Sequence, residues 1–126
     1  MIKEDQEQAL LIKWLKLKRV FYFAVNNENQ SSFTNRKIAM IQEAKAKSKG
    51  KIKGASDLIV MIKDKILFIE LKRSRKILKS GKTSISHTKT SREQLDFLDN
   101  VNKFEYADGK VCYGWIEAKE YIESFN

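Results

Sequence analysis

Two apolar runs, residues 57–62 (DLIVMI) and 66–71 (ILFIEL), are separated only by Lys63, Asp64 and Lys65. Both are rich in β-branched and aliphatic residues and too short for a stable helix. A connection of this length joins antiparallel neighbours, so the pair predicts a β-hairpin. Two acids interrupt the apolar pattern, Asp57 at the mouth of the first run and Glu70 near the end of the second. Side chains alternate along a strand, so Glu70 and Lys72 project from one face. A two-residue turn, Lys63-Asp64, would set Asp57 directly across from Glu70, with Cβ atoms about 4.5–5.5 Å apart. A three-residue turn would slip the register by one and send the two acids to opposite faces. The turn contains neither Gly nor Asn, so its length stays open at this level. Carboxylates that close repel, and one is driven towards protonation unless a cation joins them. Mg²⁺ suits carboxylate oxygens at about 2.0–2.1 Å and keeps several waters, which Lys72 would face from one pleat along. The alternative is structural: Glu70 pairs with Lys72 or Arg73, and Asp57 caps a turn.

The rest of the chain supplies the elements around this hairpin. Residues 3–18 carry Leu11, Trp14, Leu15 and Lys18 at i, i+3, i+4, i+7 spacing, which predicts an amphipathic helix widened by Leu10 and Leu17. Glu4, Asp5 and Glu7 occupy its first turns, where the helix dipole favours anions. Residues 20–25 (VFYFAV) read as a strand and 26–34 as a polar loop. Residues 36–47 form a second helix through Ile38, Ile41 and Ala44, dissolving into alternating lysines up to Gly54. Residues 73–91 read as a long Ser/Thr/Lys-rich loop. Ser91 then caps a helix with Leu95, Leu98 and Val101 on one face. Asp108-Gly109 marks a turn, residues 111–116 a strand and 117–125 a closing helix. A chain of 126 residues with this order is a single domain, 1–126, of the α/β (α+β) class, a sheet flanked by helices.

Charge narrows the partner. The net charge is +9, yet residues 36–53 hold seven basic residues and one acid, and residues 72–92 eight basic residues and no acid. A segregated positive field on a small protein favours a polyanion, and nucleic acid is the usual one. Lys45, Lys47, Lys49, Lys51 and Lys53 in the first stretch are the candidate phosphate contacts. Arg73, Arg75, Lys76, Lys79, Lys82, Lys89 and Arg92 are those of the second. The alternatives are plain solubility or an acidic lipid surface. No basic helix with a clean apolar face supports a membrane role. No helix-turn-helix or zinc-finger pattern is present, so lysine-rich loops would read shape and phosphates rather than bases. One Cys and one His exclude a disulfide framework and the usual Cys/His zinc site. With a charged N-terminus unlike a signal peptide, this predicts a reducing, cytoplasmic setting. Cys112 reads as a small buried hydrophobe.

Gly54-Ala55-Ser56-Asp57, then Glu70-Leu71-Lys72, then Gln94 in the following helix resemble the virus-type replication–repair nuclease (VRR-NUC) family of the PD-(D/E)XK nuclease superfamily. Glu4 with Gln8, followed by Trp14-Leu15, is similar to the family's first-helix pattern, so the resemblance covers nearly the whole chain. Ser56 stands where the family usually has proline, a residue that shapes the turn and ligates nothing. The resemblance implies a restriction-endonuclease-like core and a Mg²⁺-dependent DNA endonuclease that hydrolyses phosphodiesters, with Mn²⁺ able to substitute. It places the metal on Asp57, Glu70 and the Leu71 carbonyl. Lys72 would orient or help deprotonate the attacking water, and Glu4 would add a further carboxylate, with Asp5 and Glu7 competing for that part. Gln94 would hydrogen-bond Lys72 or the water; its alternative is a capping box, since Ser91-x-x-Gln94 fits that pattern. His87 is a substrate-loop residue or without a role. Members made of this domain alone resemble Holliday-junction resolvases and act as dimers. The resemblance therefore implies branched DNA as substrate, a homodimer, a place in DNA repair or recombination, and no small-molecule cofactor. The rival is a non-catalytic nucleic-acid-binding protein that keeps the fold, against which the complete set of site residues argues.

Overall fold

A computed structural model describes residues 3–25, 36–50, 52, 54–74, 76–77, 83–84 and 90–125. In chain order the elements are α1 (Glu4–Leu17), β1 (Phe21–Ala24), α2 (Arg36–Ser48), β2 (Leu58–Ile62), β3 (Lys65–Lys72), β4 (Lys76–Ile77), β5 (Thr83–Ser84), α3 (Arg92–Val101), β6 (Ala107–Tyr113) and α4 (Trp115–Glu123). The main sheet runs β1-β2-β3-β6. β1 and β2 pair antiparallel, β2 and β3 antiparallel, and β6 lies parallel to β3, so the sheet is mixed.

The hairpin closes with a two-residue turn. Ile62 pairs with Lys65 and Leu58 with Ile69. Lys63 takes φ 51°, the left-handed conformation that tight hairpins need in the turn and that Gly or Asn usually supplies. What holds this register is the face it buries. Leu67, Ile69 and Leu71 of β3, with Leu58 and Val60 of β2, point one way and meet Leu11 and Leu15 of α1 and Ala118, Tyr121 and Ile122 of α4. Each large aliphatic side chain taken from water there contributes about 1.5–3 kcal/mol, so a slip of one residue would cost the whole set. Ile66, Phe68, Glu70 and Lys72 consequently share the opposite face. α3 covers part of it through Leu98, Val101 and an edge-on contact of Phe97 with Phe68, centroids 5.9 Å apart.

Several expectations are corrected. The buried stripe of α1 is Glu7, Leu11 and Leu15, at i, i+4, i+8; Leu10 and Leu17 face solvent, as does Lys18 just past the helix. Leu95 is likewise exposed, and Phe97 takes its place under α3. Asp108-Gly109 is not a turn but lies inside β6. Gly109 is needed there for closeness rather than for turning: a Cβ would stand 2.7 Å from the Leu98 side chain. Its backbone N–H and C=O, on the outer edge of the sheet, are satisfied by the Asn102 side-chain amide at 2.7 and 3.1 Å. The last strand ends at Tyr113 and the closing helix starts at Trp115, because Gly114 at φ 96° turns the chain between them. The 73–91 segment is not all loop, since β4 and β5 pair within it. The anticipated loop 26–34 lies outside the described residues. Tyr121 is buried, and Trp115 and Phe125 pack on the core. Phe21 and Phe23 on β1 remain exposed, as do Ile38, Met40 and Ile41 on α2. Among the described residues no helix is long and apolar enough to cross a membrane.

Candidate active site

The register carries Asp57 to Glu70. The ladder ends at Leu58 opposite Ile69, and Asp57, the residue just before it, lies close enough to Glu70 to act on its carboxyl, the neighbourhood that a two-residue turn implies. Asp57 is tied to the neighbouring strand as well, because its carbonyl accepts the Val25 N–H at 2.8 Å. Glu70 is only 2% exposed. Its Oε1 accepts from Gln94 Nε2 at 2.6 Å and lies 3.5 Å from Lys72 Nζ. Its Oε2 is buried and finds no hydrogen-bond partner among the described residues. Burial, and then the charge of Asp57, push the Glu70 carboxyl up to about 8, with Lys72 pulling the other way. A carboxylate held in this state is short of positive charge.

Gln94 performs both of the jobs anticipated for it. Its Oε1 accepts the Ser91 N–H at 3.0 Å, and its own N–H donates to Ser91 Oγ at 3.2 Å, closing a capping box on α3. The same Oε1 accepts from Lys72 Nζ at 3.2 Å while Nε2 donates to Glu70. The cap fixes the amide's orientation, and the amide then fixes Lys72 beside Glu70. The loop before Asp57 is pressed onto this cap. Gly54, at φ 88°, lies so near that a Cβ would sit 2.5–2.7 Å from the Glu93 carbonyl and the Gln94 nitrogen. Only glycine allows that approach, and it brings the Asp57 loop and the Gln94 helix into backbone contact.

Glu4 on the first helix lies within electrostatic reach of this group. Burial raises the Glu4 carboxyl; Lys72 and Arg73 lower it, and Asp57 and Asp5 raise it. Glu4 therefore senses both Asp57 and Lys72. Asp5 is exposed. Glu7 is buried on the next turn and bonds elsewhere, to Ser74 and to the Trp115 N–H. Sequence reasoning missed that bonding. Its signal is an acid at the first position of the 7–11–15 stripe, where a hydrophobe belongs.

Leu71 is buried. The Lys72 carbonyl accepts from the Gly114 N–H at 2.9 Å, on the β6 side. Carbonyls alternate along a strand, so that of Leu71 points to the opposite edge, past the last β2 pair and towards the Asp57 end. Among the described residues no three or more Asp, Glu, His or Cys side chains form a ready-made metal cluster. The candidate donors are instead two carboxylates and one backbone carbonyl.

Of the expected phosphate contacts, Lys45, Lys49 and Arg92 are exposed and Arg73 is half-buried. Arg92 reaches Asp96 at 3.3 Å, a solvent-exposed pair. The side chains of Lys47 and Lys76, and residues Lys51, Lys53, Arg75, Lys79, Lys82, His87 and Lys89, lie outside the described residues. Cys112 is buried, and burial pushes its thiol up to about 12, which makes it an inert core residue.

A solved structure described as a VRR_NUC domain protein superposes on this arrangement with a TM-score of 0.63. The alignment covers 99% of this chain and 88% of that one, at 20% identity. This chain has the VRR_NUC fold. The match is one of architecture: a mixed four-stranded sheet flanked by helices, the α+β arrangement that the order of elements in the sequence leads one to expect. No family model and no curated protein matches the chain. Within the VRR_NUC fold, Asp57, Glu70, Lys72 and Gln94 of this chain come together where the β2–β3 hairpin meets α3, with Glu4 of α1 in electrostatic reach and Glu7 bonded elsewhere.

Proposed function

We propose that this chain belongs to the VRR-NUC family and is a Mg²⁺-dependent DNA endonuclease selective for branched DNA such as a Holliday junction. The observation that carries the reading is Asp57 beside Glu70 at the open end of the hairpin, with a buried Glu70 oxygen lacking a partner among the described residues, next to a lysine oriented by Gln94. Packing alone does not call for two neighbouring acids in an apolar hairpin. The site fits a hard divalent cation on its own chemistry. Asp57, Glu70 and the Leu71 carbonyl are all oxygen donors, and one or two carboxylates completed by water are typical for Mg²⁺. When bound, the ion supplies positive charge to a phosphodiester oxygen and relieves the repulsion that raises Glu70. Mn²⁺ would serve equally. Lys72 orients the attacking water and takes up charge from the phosphate, Gln94 holds Lys72, and Glu4 adds a third carboxylate within electrostatic reach.

The basic stretches 36–53 and 72–92 flank this site in sequence and are read as its DNA-backbone contacts. Each lysine–phosphate contact releases counterions, so affinity should fall steeply with salt. Removing Lys45 or Lys49 should each lower the salt slope by about one, with the same effect on unrelated sequences. A binding constant that ignores ionic strength would exclude this surface. A four-way junction presents two scissile strands related by an approximate two-fold axis, and one chain offers one such site. A homodimer with an isologous interface matches that symmetry, and Phe21 and Phe23 on the edge strand β1 are exposed apolar material for it. Sedimentation at micromolar concentration should give twice 14.7 kDa; a 14.7 kDa species that still makes paired cuts would remove the dimer. The reading as a whole is tested on a labelled four-way junction, with Mg²⁺ and with EDTA. Cleavage only with Mg²⁺ is expected. Binding without cleavage under every metal would leave a non-catalytic nucleic-acid-binding protein.

A further inference from the structure

Glu7 is 1% exposed, among the most deeply buried charged side chains of the described residues. It belongs neither to the group around Glu70 nor to the apolar core, though it opens the buried stripe of α1. A buried carboxylate persists only when hydrogen bonds replace its water. Glu7 has such bonds, divided between its two oxygens. Oε2 accepts from Ser74, through the backbone N–H at 3.0 Å and through the hydroxyl. Oε1 accepts the Trp115 N–H at 3.4 Å, at the start of α4 where helix N–H groups are otherwise unsatisfied. No room is left at this junction. Gly114, at φ 96°, would with a Cβ stand 2.3 Å from Ser74 Oγ and 2.9 Å from Glu7 Oε2. One carboxylate therefore pins three segments at a point: α1, the exit of β3 and the entry to α4.

Two of these segments bear on the chemistry. Ser74 follows Lys72 by two residues, and the Lys72 carbonyl is itself held by the Gly114 N–H at 2.9 Å. Arg73, between them, acts electrostatically on Glu4, which lies one turn before Glu7 on α1. We infer that Glu7 is a positioning residue for the reaction. Through Ser74 and Gly114 it fixes where β3 ends, and so where the Lys72 ammonium stands relative to Glu70 and Gln94. It also sets α1, and with it Glu4, against that strand end. This role rests on the nuclease reading proposed above. A neutral amide cannot repeat it, because Gln presents one acceptor where two backbone N–H donors converge.

The test is a cycle of Glu7→Gln and Lys72→Met, read by single-turnover cleavage of bound DNA and by melting temperature. Glu7→Gln should slow cleavage by about ten- to a hundredfold, the scale for misplacing a reacting group by about 1 Å, with DNA affinity within about twofold. In the Lys72→Met background, Glu7→Gln should slow cleavage far less, because the main group it positions is gone and only Glu4 is left to be displaced. Ser74→Ala, which keeps the backbone N–H, should show the same pattern more weakly, and it carries the test if Glu7→Gln does not fold. Rate losses that multiply in the double variant, or a Glu7→Gln or Ser74→Ala enzyme that melts earlier but cuts at full speed, would reduce Glu7 to a structural role. A wild type that cuts nothing with any divalent metal would remove the nuclease reading and this role with it. An active wild type with multiplying losses removes this role alone.

Discussion

Glu70→Gln should abolish cleavage and at the same time make the metal-free protein more stable. The two effects have one cause. Burial and Asp57 hold the Glu70 carboxyl up to about 8, far above its ordinary 4.5. The folded state therefore binds more protons than the unfolded state between about 4.5 and about 8, and stability in EDTA falls as pH rises through that window. Gln carries no charge to bury or to repel Asp57, and its carbonyl can still accept from Gln94. Melting of the Glu70→Gln variant at pH 8 in EDTA should be higher by about 4 °C or more, the shift that about 1 kcal/mol gives in a domain near this size. At pH 5 the difference should largely vanish. Cleavage should fall by at least about a thousandfold, since a group that brings charge to the transition state is lost. DNA binding should be unchanged or tighter, because a negative charge has gone. Asp57→Asn should follow the same pattern. Equal loss of binding and cleavage in either variant, or full activity, would detach these acids from the chemistry.

Lys72→Met should have the second-largest effect. The Lys72 ammonium is 3.2 Å from Gln94 Oε1 and 3.5 Å from Glu70 Oε1, on the same sheet face as both. In the proposed reaction a charge placed this way would meet developing negative charge rather than serve a distant phosphate. An interaction made chiefly in the transition state lowers the rate without changing affinity. The expected outcome is a cleavage rate reduced by about two to three orders of magnitude with a dissociation constant within about threefold. Loss of affinity with a normal rate for bound DNA would reassign Lys72 to holding the backbone.

The hairpin was legible in the sequence because two dense apolar runs joined by only three residues can be buried together only side by side. Its turn length was not. Lys63 at φ 51° does what Gly or Asn usually does, and nothing local in Lys63-Asp64-Lys65 announces it. The site was legible to the extent that it lies on that hairpin. Gln94 was posed as either a cap or a partner of Lys72, and it makes both sets of hydrogen bonds, since a side-chain amide has enough donors and acceptors for Ser91, Lys72 and Glu70 together. Periodicity could not separate the three acids of α1. Glu4 and Glu7 sit one turn apart on nearly the same side of the helix, and only the packing of β3 and α4 sends one towards Asp57 and the other to Ser74. Asp108-Gly109 has the composition of a turn, yet Gly109 serves a close helix–strand contact, which depends on tertiary structure alone. The exposed Ile38, Met40 and Ile41 of α2 show the same gap from the other side: a helical pattern in the sequence says nothing of what covers it.

Anomalous diffraction from crystals soaked in Mn²⁺ tests the central claim most directly, because it reads metal, donors and register at once without depending on the choice of DNA. A peak is expected between the Asp57 and Glu70 carboxylates, within bonding distance of the Leu71 carbonyl and absent from Glu70→Gln crystals grown the same way. Wild-type crystals at saturating Mn²⁺ with no peak between those two carboxylates, or with manganese bound only elsewhere, would contradict that claim.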